Sequence, residues 1–449
     1  MYCLIKPLFI GYVIALIVTS SIHAQELNSN QAGDLQAIER FVQAPDSSFG
    51  WKHTRTKRLA PGNIHELRVT SQTWQTIQWQ HAVEIYEPKQ LAHPNHALLF
   101  VTGGSRPSEP TKEEIKQGFS LAIQCGAPVI MMHQVPNQPL LDGRKEDDLI
   151  SETWLRYLET GDETWPLLFP MVKSAVRTID AVQAFSKQEL EHEIKKIVIT
   201  GASKRGWTSW LTPVVDQRIV GTAPIVIDML NFRKQMNHQL ATWGDFSIQI
   251  RDYTSKGLVK RPQDPESARE QKLRTMMDPY SYVEKLILPK LLIVGTNDPY
   301  WTVDAMNLYW GDLSGPKFVS QHANAGHGLE GSQEEAMRTL AGFFRLVATG
   351  QRLPSIQWEP KKTESTIGIS IETDDRAKSA KLWFATSQDG DFRDDKWNSK
   401  PATKTANGWQ SQIDTQTGKQ QAIFGEVEFE EQGGSWSFTT LVYRFENND

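Results

Sequence analysis

Three residues whose types could together perform nucleophilic catalysis occur in the order Ser203, Asp298 and His327. A serine hydroxyl is a weak nucleophile until a neutral imidazole takes its proton, and the imidazole needs a carboxylate to hold its tautomer. Each of the three follows a predicted strand; Ser203, for example, comes soon after the β-branched run Ile197–Ile199. The spacing therefore predicts a Ser-His-Asp constellation that attacks an ester or amide carbonyl.

The segment around Ser203 has the small residues that a nucleophile elbow requires. Gly201 lies two positions before the serine, but the second glycine of the G-x-S-x-G pattern is displaced to Gly206, and Arg205 holds its usual place. The serine of such an elbow occupies a strained turn in which only small neighbours fit. Taken alone, Ser203 could equally cap a helix, so the hypothesis depends on all three residues.

A glycine pair after another predicted strand could supply a further requirement of acyl transfer. Gly103 and Gly104 follow the apolar run Ala97–Val101. Backbone N–H groups of such a loop, together with the N–H of Lys204 after the serine, would bind the oxyanion of a tetrahedral intermediate. The alternative is a plain glycine-rich turn.

The acid of the constellation has two rivals. Asp304 lies further along the same segment, and Asp228 ends the preceding predicted strand, where some hydrolases carry their acid. We favour Asp298 because its loop directly follows the predicted strand Leu291–Val294. The distance from there to His327 leaves room for one helix, which would carry Asp304, and one strand.

Four nearby residues are candidates for substrate binding. Arg205 could bind a carboxylate or phosphate, but Arg205 and Lys204 could equally pair with acidic residues, since cations oppose the dipole at a helix N-terminus. Trp207, Tyr300 and Trp301 could line an apolar pocket, or they could belong to the core.

The elements that must position these residues alternate between strands and helices. Predicted helices at Glu113–Gln124 and Phe169–Phe185 separate the predicted strands, which indicates an α/β fold with a mostly parallel sheet and helices on both faces. The chain order Ser, Asp, His at strand ends is that of the α/β-hydrolase fold. Residues 231–285 have helical stretches and many aromatic residues, which predicts a helical cap over the site.

Two regions flank the predicted hydrolase domain, 25–352. Residues 1–24 have the cationic, apolar and small-residue order of a signal peptide, and the apolar run is short for a membrane span of ~20 residues. An uncleaved anchor is the alternative. Residues 355–449 contain β-rich runs separated by turn residues, which predicts a β-sandwich of immunoglobulin or fibronectin type.

Composition narrows the function classes. The formal net charge of −5 over 449 residues gives no electrostatic case for nucleic acid. No Cys/His cluster has zinc spacing and no phosphate-binding G-x-x-x-x-G-K-[ST] loop occurs, so we expect neither metal nor cofactor. Cys3 would leave with the signal and Cys125 would remain alone, which is typical of a periplasmic or secreted bacterial protein. The expected partner is a small-molecule or peptide substrate, with no membrane span after cleavage.

Three motifs resemble the PhoPQ-activated pathogenicity-related proteins, to which the autocrine proliferation repressors of slime moulds are similar. They are Gly201–Trp207, Val226–Asn231 and Gly295–Trp301. The resemblance covers most of the chain from about Leu35 and implies an exported α/β-hydrolase-fold protein. In bacteria, control by a sensor of cationic peptides and low magnesium implies a link to virulence or to the antimicrobial-peptide response. No substrate is implied, and a non-enzymatic binding or signalling protein with the same fold is the alternative.

Overall fold

The computed structural model describes residues 34–104, 111–431 and 434–446, and the predicted signal peptide lies outside them. The helices are α1 (Ala37–Gln43), α2 (Lys112–Cys125), α3 (Glu146–Thr160), α4 (Leu168–Glu189), α5 (Lys204–Val215), α6 (Phe232–Trp243), α7 (Arg251–Thr254), α8 (Ala268–Met277) and α9 (Gln333–Thr349). The strands of the first part of the chain are β1 (Gly50–Leu59), β2 (Gly62–Trp74), β3 (Ile77–Pro88), β4 (His96–Val101), β5 (Val129–Met132), β6 (Lys196–Ala202), β7 (Ile219–Ile225), β8 (Lys290–Gly295) and β9 (Lys317–His322). The remaining strands are β10 (Ile356–Lys362), β11 (Thr366–Thr373), β12 (Ala377–Ser387), β13 (Asn398–Pro401), β14 (Thr403–Lys404), β15 (Gly408–Asp414), β16 (Gln420–Glu431), β17 (Gly434–Thr439) and β18 (Tyr443–Glu446).

The main sheet is parallel through its centre. Its order begins β1-β2-β3-β5-β4-β6-β7-β8-β9, and the pairs from β5 to β9 are parallel, whereas β1, β2 and β3 add antiparallel strands at one edge. The predicted mostly parallel sheet is confirmed. Because parallel strands all point the same way, the loops after β4, β6 and β8 emerge at one edge of this sheet.

The central strands are apolar throughout because both faces of the sheet are covered. On β4, Leu98 faces a cluster that contains Phe119 of α2 and Leu340 of α9. Its neighbour Leu99 faces the opposite cluster, which contains Val172 of α4 and side chains of α1 and α5. Strands buried on both faces read as continuous apolar runs, which is the pattern that allowed them to be predicted.

The cap is built from two separate insertions. Helices α6, α7 and α8 lie between β7 and β8, within the predicted cap, while α3 lies between β5 and α4 and packs against α7 and α8. The helix expected between Asp298 and His327 was predicted wrongly. Two 3₁₀ turns, Ala305–Leu308 and Trp310–Asp312, stand there instead, and Asp304 directly precedes the first.

The C-terminal strand region is confirmed, and it continues the main sheet. Strand β17 pairs with β9 at Thr439 and Val319, and β16, β12 and β13 follow it, while β10, β11, β15 and β14 form a second sheet. The two sheets share one core, since Ile369 of β11 clusters with Val427 of β16. At Gly342 of α9 an added Cβ would lie 2.7 Å from the indole of Trp436, so this region packs closely on that helix.

Candidate active site

Ser203 lies in a sharp turn between β6 and α5. Its backbone has φ 57° and ψ −122°, a conformation that costs a non-glycine residue of order 1–3 kcal/mol. The turn is held because the Ser203 N–H donates to the carbonyl oxygen of Ile225 on β7 at 2.8 Å. Neighbouring strands therefore fix the serine at the exposed end of the sheet, as in a nucleophile elbow.

Two glycines allow the chain to fold so tightly around the serine. A Cβ on Gly201 would lie 2.7 Å from the carbonyl oxygen of Arg205, and a Cβ on Gly206 would lie 2.6 Å from Cγ2 of Ile227. At the displaced second glycine, α5 therefore packs against β6 and the end of β7 too closely for a side chain. Arg205, one position earlier, has room for a side chain.

The structure brings Ser203, His327 and Asp298 into one hydrogen-bonded chain. His327 Nε2 lies 3.0 Å from Ser203 Oγ, and His327 Nδ1 lies 2.8 Å from Asp298 Oδ2. An ionised carboxylate only accepts, so Nδ1 carries the proton and Nε2 is left to accept from the serine. Asp298 is 4% exposed and His327 is 26% exposed, so the histidine remains open to solvent on one side.

The acid and the imidazole are each held by a second contact. The other oxygen of Asp298, Oδ1, accepts from the N–H of Tyr300 at 2.9 Å. The Tyr300 ring lies over the imidazole of His327, with ring centroids 4.3 Å apart. The tyrosine, predicted to line the substrate pocket, therefore also fixes the orientation of the imidazole.

The two rival acids bind elsewhere. Asp228 accepts from the hydroxyl of Tyr309 at 2.6 Å. Burial raises the pKa of Asp228 to about 7 despite that hydrogen bond. Asp304 lies 2.8 Å from Nε2 of His238, a cap residue. The imidazole beside Ser203 donates to Asp298, whereas the contacts of the two rivals are to Tyr309 and His238.

The loop of Gly103 and Gly104 lies beside the elbow. The last residue of β4 pairs with Gly201 in parallel register, and a Cβ on Gly103 would lie 2.5 Å from the guanidinium of Arg205. Lys204 is the first residue of α5, and the first N–H groups of a helix have no acceptor within it. These are the groups from which an oxyanion hole could be assembled next to Ser203.

Arg205 was predicted as a substrate ligand, but it is occupied by the protein. Its guanidinium donates twice to Glu146, at 2.7 Å each, and its Nε donates to the carbonyl oxygen of Val135 at 2.5 Å. The side chain is only 10% exposed. Burial opposes ionisation of Glu146, but Arg205, Gln138 and Lys204 outweigh it and lower the pKa of Glu146 to about 2. Arg205 is therefore paired with an acidic residue, which is the alternative to substrate binding that the sequence left open.

Lys204 is also paired, although it faces the pocket. Its Nζ lies 3.0 Å from Oδ2 of Asp147, the second residue of α3. The other oxygen of that carboxylate accepts from the hydroxyl of Tyr253 on α7 at 3.0 Å. The lysine therefore links the elbow to both insertions of the cap.

A half-open pocket lies between Ser203, His327 and the cap, and the space within it, including the solvent at its mouth, is about 1180 Å³. The predicted residues Trp207, Tyr300 and Trp301 line it, while Arg205 does not. The other aromatic and aliphatic side chains of its wall are Trp154, Leu158, Ile227, Met229, Phe232, Met236, Ile250, Tyr253, Leu258, Val259 and Leu273. Trp207 is fixed by a hydrogen bond of 2.7 Å from its Nε1 to the carbonyl oxygen of Met277.

The loops that carry the acid and the histidine are locked together. A Cβ on Gly295 would lie 2.2 Å from the carbonyl oxygen of Ala325, so the two loops touch backbone to backbone. The Asn297 N–H donates to that same carbonyl at 2.9 Å. Glu330 accepts from the N–H groups of Gly326 and Gly328, at 3.0 and 3.1 Å, and so fixes the loop on both sides of the histidine.

Sequence reasoning missed the residues that support the site from a distance. Glu146 is the first of three acidic residues in the first turn of α3, and that acidic run was the available signal. Asn297 donates from Nδ2 to the carbonyl oxygens of residues 392, 393 and 395, at 3.3, 2.9 and 2.9 Å. Asn324 exchanges two hydrogen bonds with Trp397, at 2.7 and 3.0 Å. Asn324 is an ordinary loop residue in the sequence, and Asn297, although it lies in the motif Gly295–Trp301, carries no local signal of a contact with the C-terminal region.

Two searches of the described part of the chain were negative. Among residues 34–104, 111–431 and 434–446, no helix has both the length and the apolar character needed to cross a membrane. Across the same ranges, no three His, Cys, Asp or Glu side chains are grouped so that they could hold a metal ion.

The sequence pattern of the PhoPQ-activated pathogenicity-related proteins matches residues 38–393. The chain belongs to this family. It is 31% identical over 376 residues to autocrine proliferation repressor protein A of Dictyostelium discoideum, covering 80% of this chain and 75% of that protein. Acetyl xylan esterase 1 of Thermoanaerobacterium sp. superposes with a TM-score of 0.50 at 14% identity, over 70% of this chain and 93% of the esterase. The family member described here therefore has the α/β-hydrolase fold.

The Glu146–Arg205 pair leads to a prediction about stability. Glu146 has a pKa of about 2 in the folded protein, against an ordinary value of 4.5. Its ionised form therefore stabilises the fold. This contribution is complete above pH 4.5 and is lost as the pH falls toward 2. Glu146→Gln should lower the free energy of unfolding at pH 7 by about 1–2 kcal/mol, at the low end for a charged partner because Glu146 is 40% exposed. Denaturant unfolding at several pH values should find the difference shrinking below pH 4.5.

The matched control is Glu159→Gln, at an exposed position of the same helix. It should change the free energy of unfolding by no more than about 0.5 kcal/mol. An equal effect of the two substitutions, or a difference that grows as pH falls, would contradict the assigned pairing.

Proposed function

We propose that this protein is an exported serine hydrolase that cleaves an ester or amide bond. Ser203 acts as the nucleophile, His327 as the general base and Asp298 as the group that orients the imidazole. The observation that carries the proposal is the pair of contacts at His327, 3.0 Å to Ser203 Oγ and 2.8 Å to Asp298 Oδ2. Export is supported by the signal-peptide pattern of residues 1–24.

The geometry suits a two-step acyl transfer. Ser203 Oγ attacks the carbonyl carbon while its proton passes to His327 Nε2, and the same nitrogen then protonates the leaving alcohol or amine. Water attacks the acyl-enzyme by the same route, releases the acid and regenerates the serine. The N–H of Lys204 and the N–H groups of the Gly103-Gly104 loop are the proposed donors to the oxyanion. Asp298 stabilises the imidazolium formed in each step.

Labelling by a fluorophosphonate probe tests the nucleophile. The wild-type protein should form a covalent adduct at Ser203, since such probes react with an activated serine, and Ser203→Ala should abolish it. Ser209→Ala is the matched control, because Ser209 lies on α5 and donates to the carbonyl oxygen of Arg205, away from the imidazole. The labelled protein should be found in the periplasmic or medium fraction and begin at Gln25.

Absence of labelling, while a known serine hydrolase labels in parallel, would overturn the enzymatic proposal. Labelled protein confined to the cytosol, with residues 1–24 retained, would overturn export alone.

The acid is tested by turnover of whichever ester the labelled enzyme accepts. Asp298→Asn should lower kcat by roughly 10⁴, because the amide can hold the imidazole in the wrong tautomer. Folding should be little affected, since the two side chains are nearly the same size. Asp228→Asn is the control and should keep most of the activity, because its contact is to Tyr309. Collapse of activity in the control, with Asp298→Asn unaffected, would move the acid.

A non-enzymatic signalling role is the second candidate. Its support is the name of the relative from Dictyostelium discoideum, a proliferation repressor. The two candidates separate in a deletion strain of the host: full restoration of its phenotype by Ser203→Ala would favour the signalling role, and failure to restore it would favour the hydrolase.

A further inference from the structure

The charged side chains around the pocket are paired with one another. Besides Lys204 and Asp147, the far end of the wall has Glu266 between two arginines, Arg233 and Arg274, each 2.9 Å away. Lys260 and Glu270 form another pair at 2.9 Å. Among the described residues, each of these charged side chains has a partner of opposite charge, and the four cations and three anions leave one excess positive charge where two arginines share Glu266. A charged substrate group would therefore have to break an existing pair.

The wall between Ser203 and those pairs is apolar and belongs mostly to the cap. Phe232 and Met236 come from α6, Leu273 from α8, and Trp154 from α3. Trp207 stands at right angles to both Trp154 and Phe232, with ring centroids 5.8 and 5.5 Å apart. Rings held edge to face form rigid walls, so the cavity is kept open without a ligand and would exclude water around an apolar group.

We propose that this cap pocket binds a bulky uncharged group of the substrate, alkyl or aromatic, so that the enzyme prefers apolar esters or amides to acetyl or charged ones. The inference rests on the proposed function. An apolar group that enters the pocket is removed from contact with water. This burial stabilises both the bound state and the transition state, by an amount proportional to the apolar area buried. The carbonyl attached to it would lie at Ser203.

Two series of esters test the proposal and show on which side of the bond the apolar group lies. The acyl series runs from p-nitrophenyl acetate through butyrate and hexanoate to octanoate, and the alcohol series compares phenyl acetate with 1-naphthyl acetate. We expect kcat/KM to rise with the size of the apolar group in one of the two series. If it is the acyl series, the rise should be roughly threefold per added methylene. The p-nitrophenyl hemisuccinate should react more slowly than the butyrate, because its carboxylate would lose water against apolar side chains and Lys204 beside Ser203 is already paired with Asp147.

A variant that fills the pocket provides the structural control. Met236→Trp should reduce kcat/KM for the preferred bulky ester at least tenfold more than kcat/KM for acetate, whereas Asn237→Trp, at an exposed position of the same helix outside the pocket, should change neither by more than about twofold. Highest activity on acetate together with equal rates for phenyl and naphthyl acetate would overturn the apolar pocket. If Ser203 labels in that case, the proposed hydrolase stands; if it does not label, the proposed function fails first.

The C-terminal strand region carries a second, independent inference. Its segment between β12 and β13 supplies the three carbonyl oxygens that accept from Asn297, the residue directly before Asp298. The same segment reaches the cap, since the guanidinium of Arg393 lies 4.0 Å from the ring centroid of Trp243 on α6. We infer that Asn297 is a positioning residue through which the C-terminal region holds the acid against the imidazole of His327.

Asn307 offers a matched control, because it too donates to the C-terminal region, to the carbonyl oxygen of Val442 at 2.8 Å. Its loop carries none of the proposed catalytic residues. Asn297→Ala should lower kcat by roughly 10- to 100-fold with little change in KM, since small displacements of an aligned group are costly. Asn307→Ala should leave kcat within about twofold of the wild-type value. The two substitutions should shift the denaturation midpoint by comparable amounts. Equal kcat values for the two variants would overturn the positioning role, whereas Ser203 labelling reports separately on the proposed function.

Discussion

The strained backbone of Ser203 is the constraint on which the rest of the site depends. A residue at φ 57° and ψ −122° persists only if its surroundings permit no alternative. Gly201 and Gly206 provide the space for the turn, and the hydrogen bond from Ser203 to β7 fixes its height. As a consequence, α5 starts close to the sheet, and its first residues, Lys204 and Arg205, contact the cap.

Arg205 connects this strained turn to parts of the chain that are distant in sequence. A usual elbow has glycine at this position, whereas here a buried arginine binds Glu146 and the chain at Val135. Loss of the carboxylate would leave the buried guanidinium without two of its acceptors, whereas Glu146, which is 40% exposed, could still reach water. The bond holds the start of α3, and with it one side of the pocket, against the elbow. The cap is thus attached to the nucleophile by charge and lined on its inner side by apolar groups.

The opposite side of the site is held by backbone contacts. The acid loop touches the histidine loop at Gly295, reaches the C-terminal region through Asn297 and reaches α6 through Tyr300, whose carbonyl oxygen accepts from Gln239 at 2.9 Å. The histidine loop, the C-terminal region and α6, which are distant in sequence, therefore all contact the short loop that carries Asp298. This accounts for a C-terminal region that shares both sheet and core with the hydrolase part.

The sequence by itself determined the strands that are buried on both faces and the three residues at their ends, because continuous apolar runs and strand-end loops are local patterns. Only the tertiary structure decided that Arg205 serves Glu146 rather than a substrate. A cation beside a nucleophile looks the same in either role until the packing of distant elements supplies its partner.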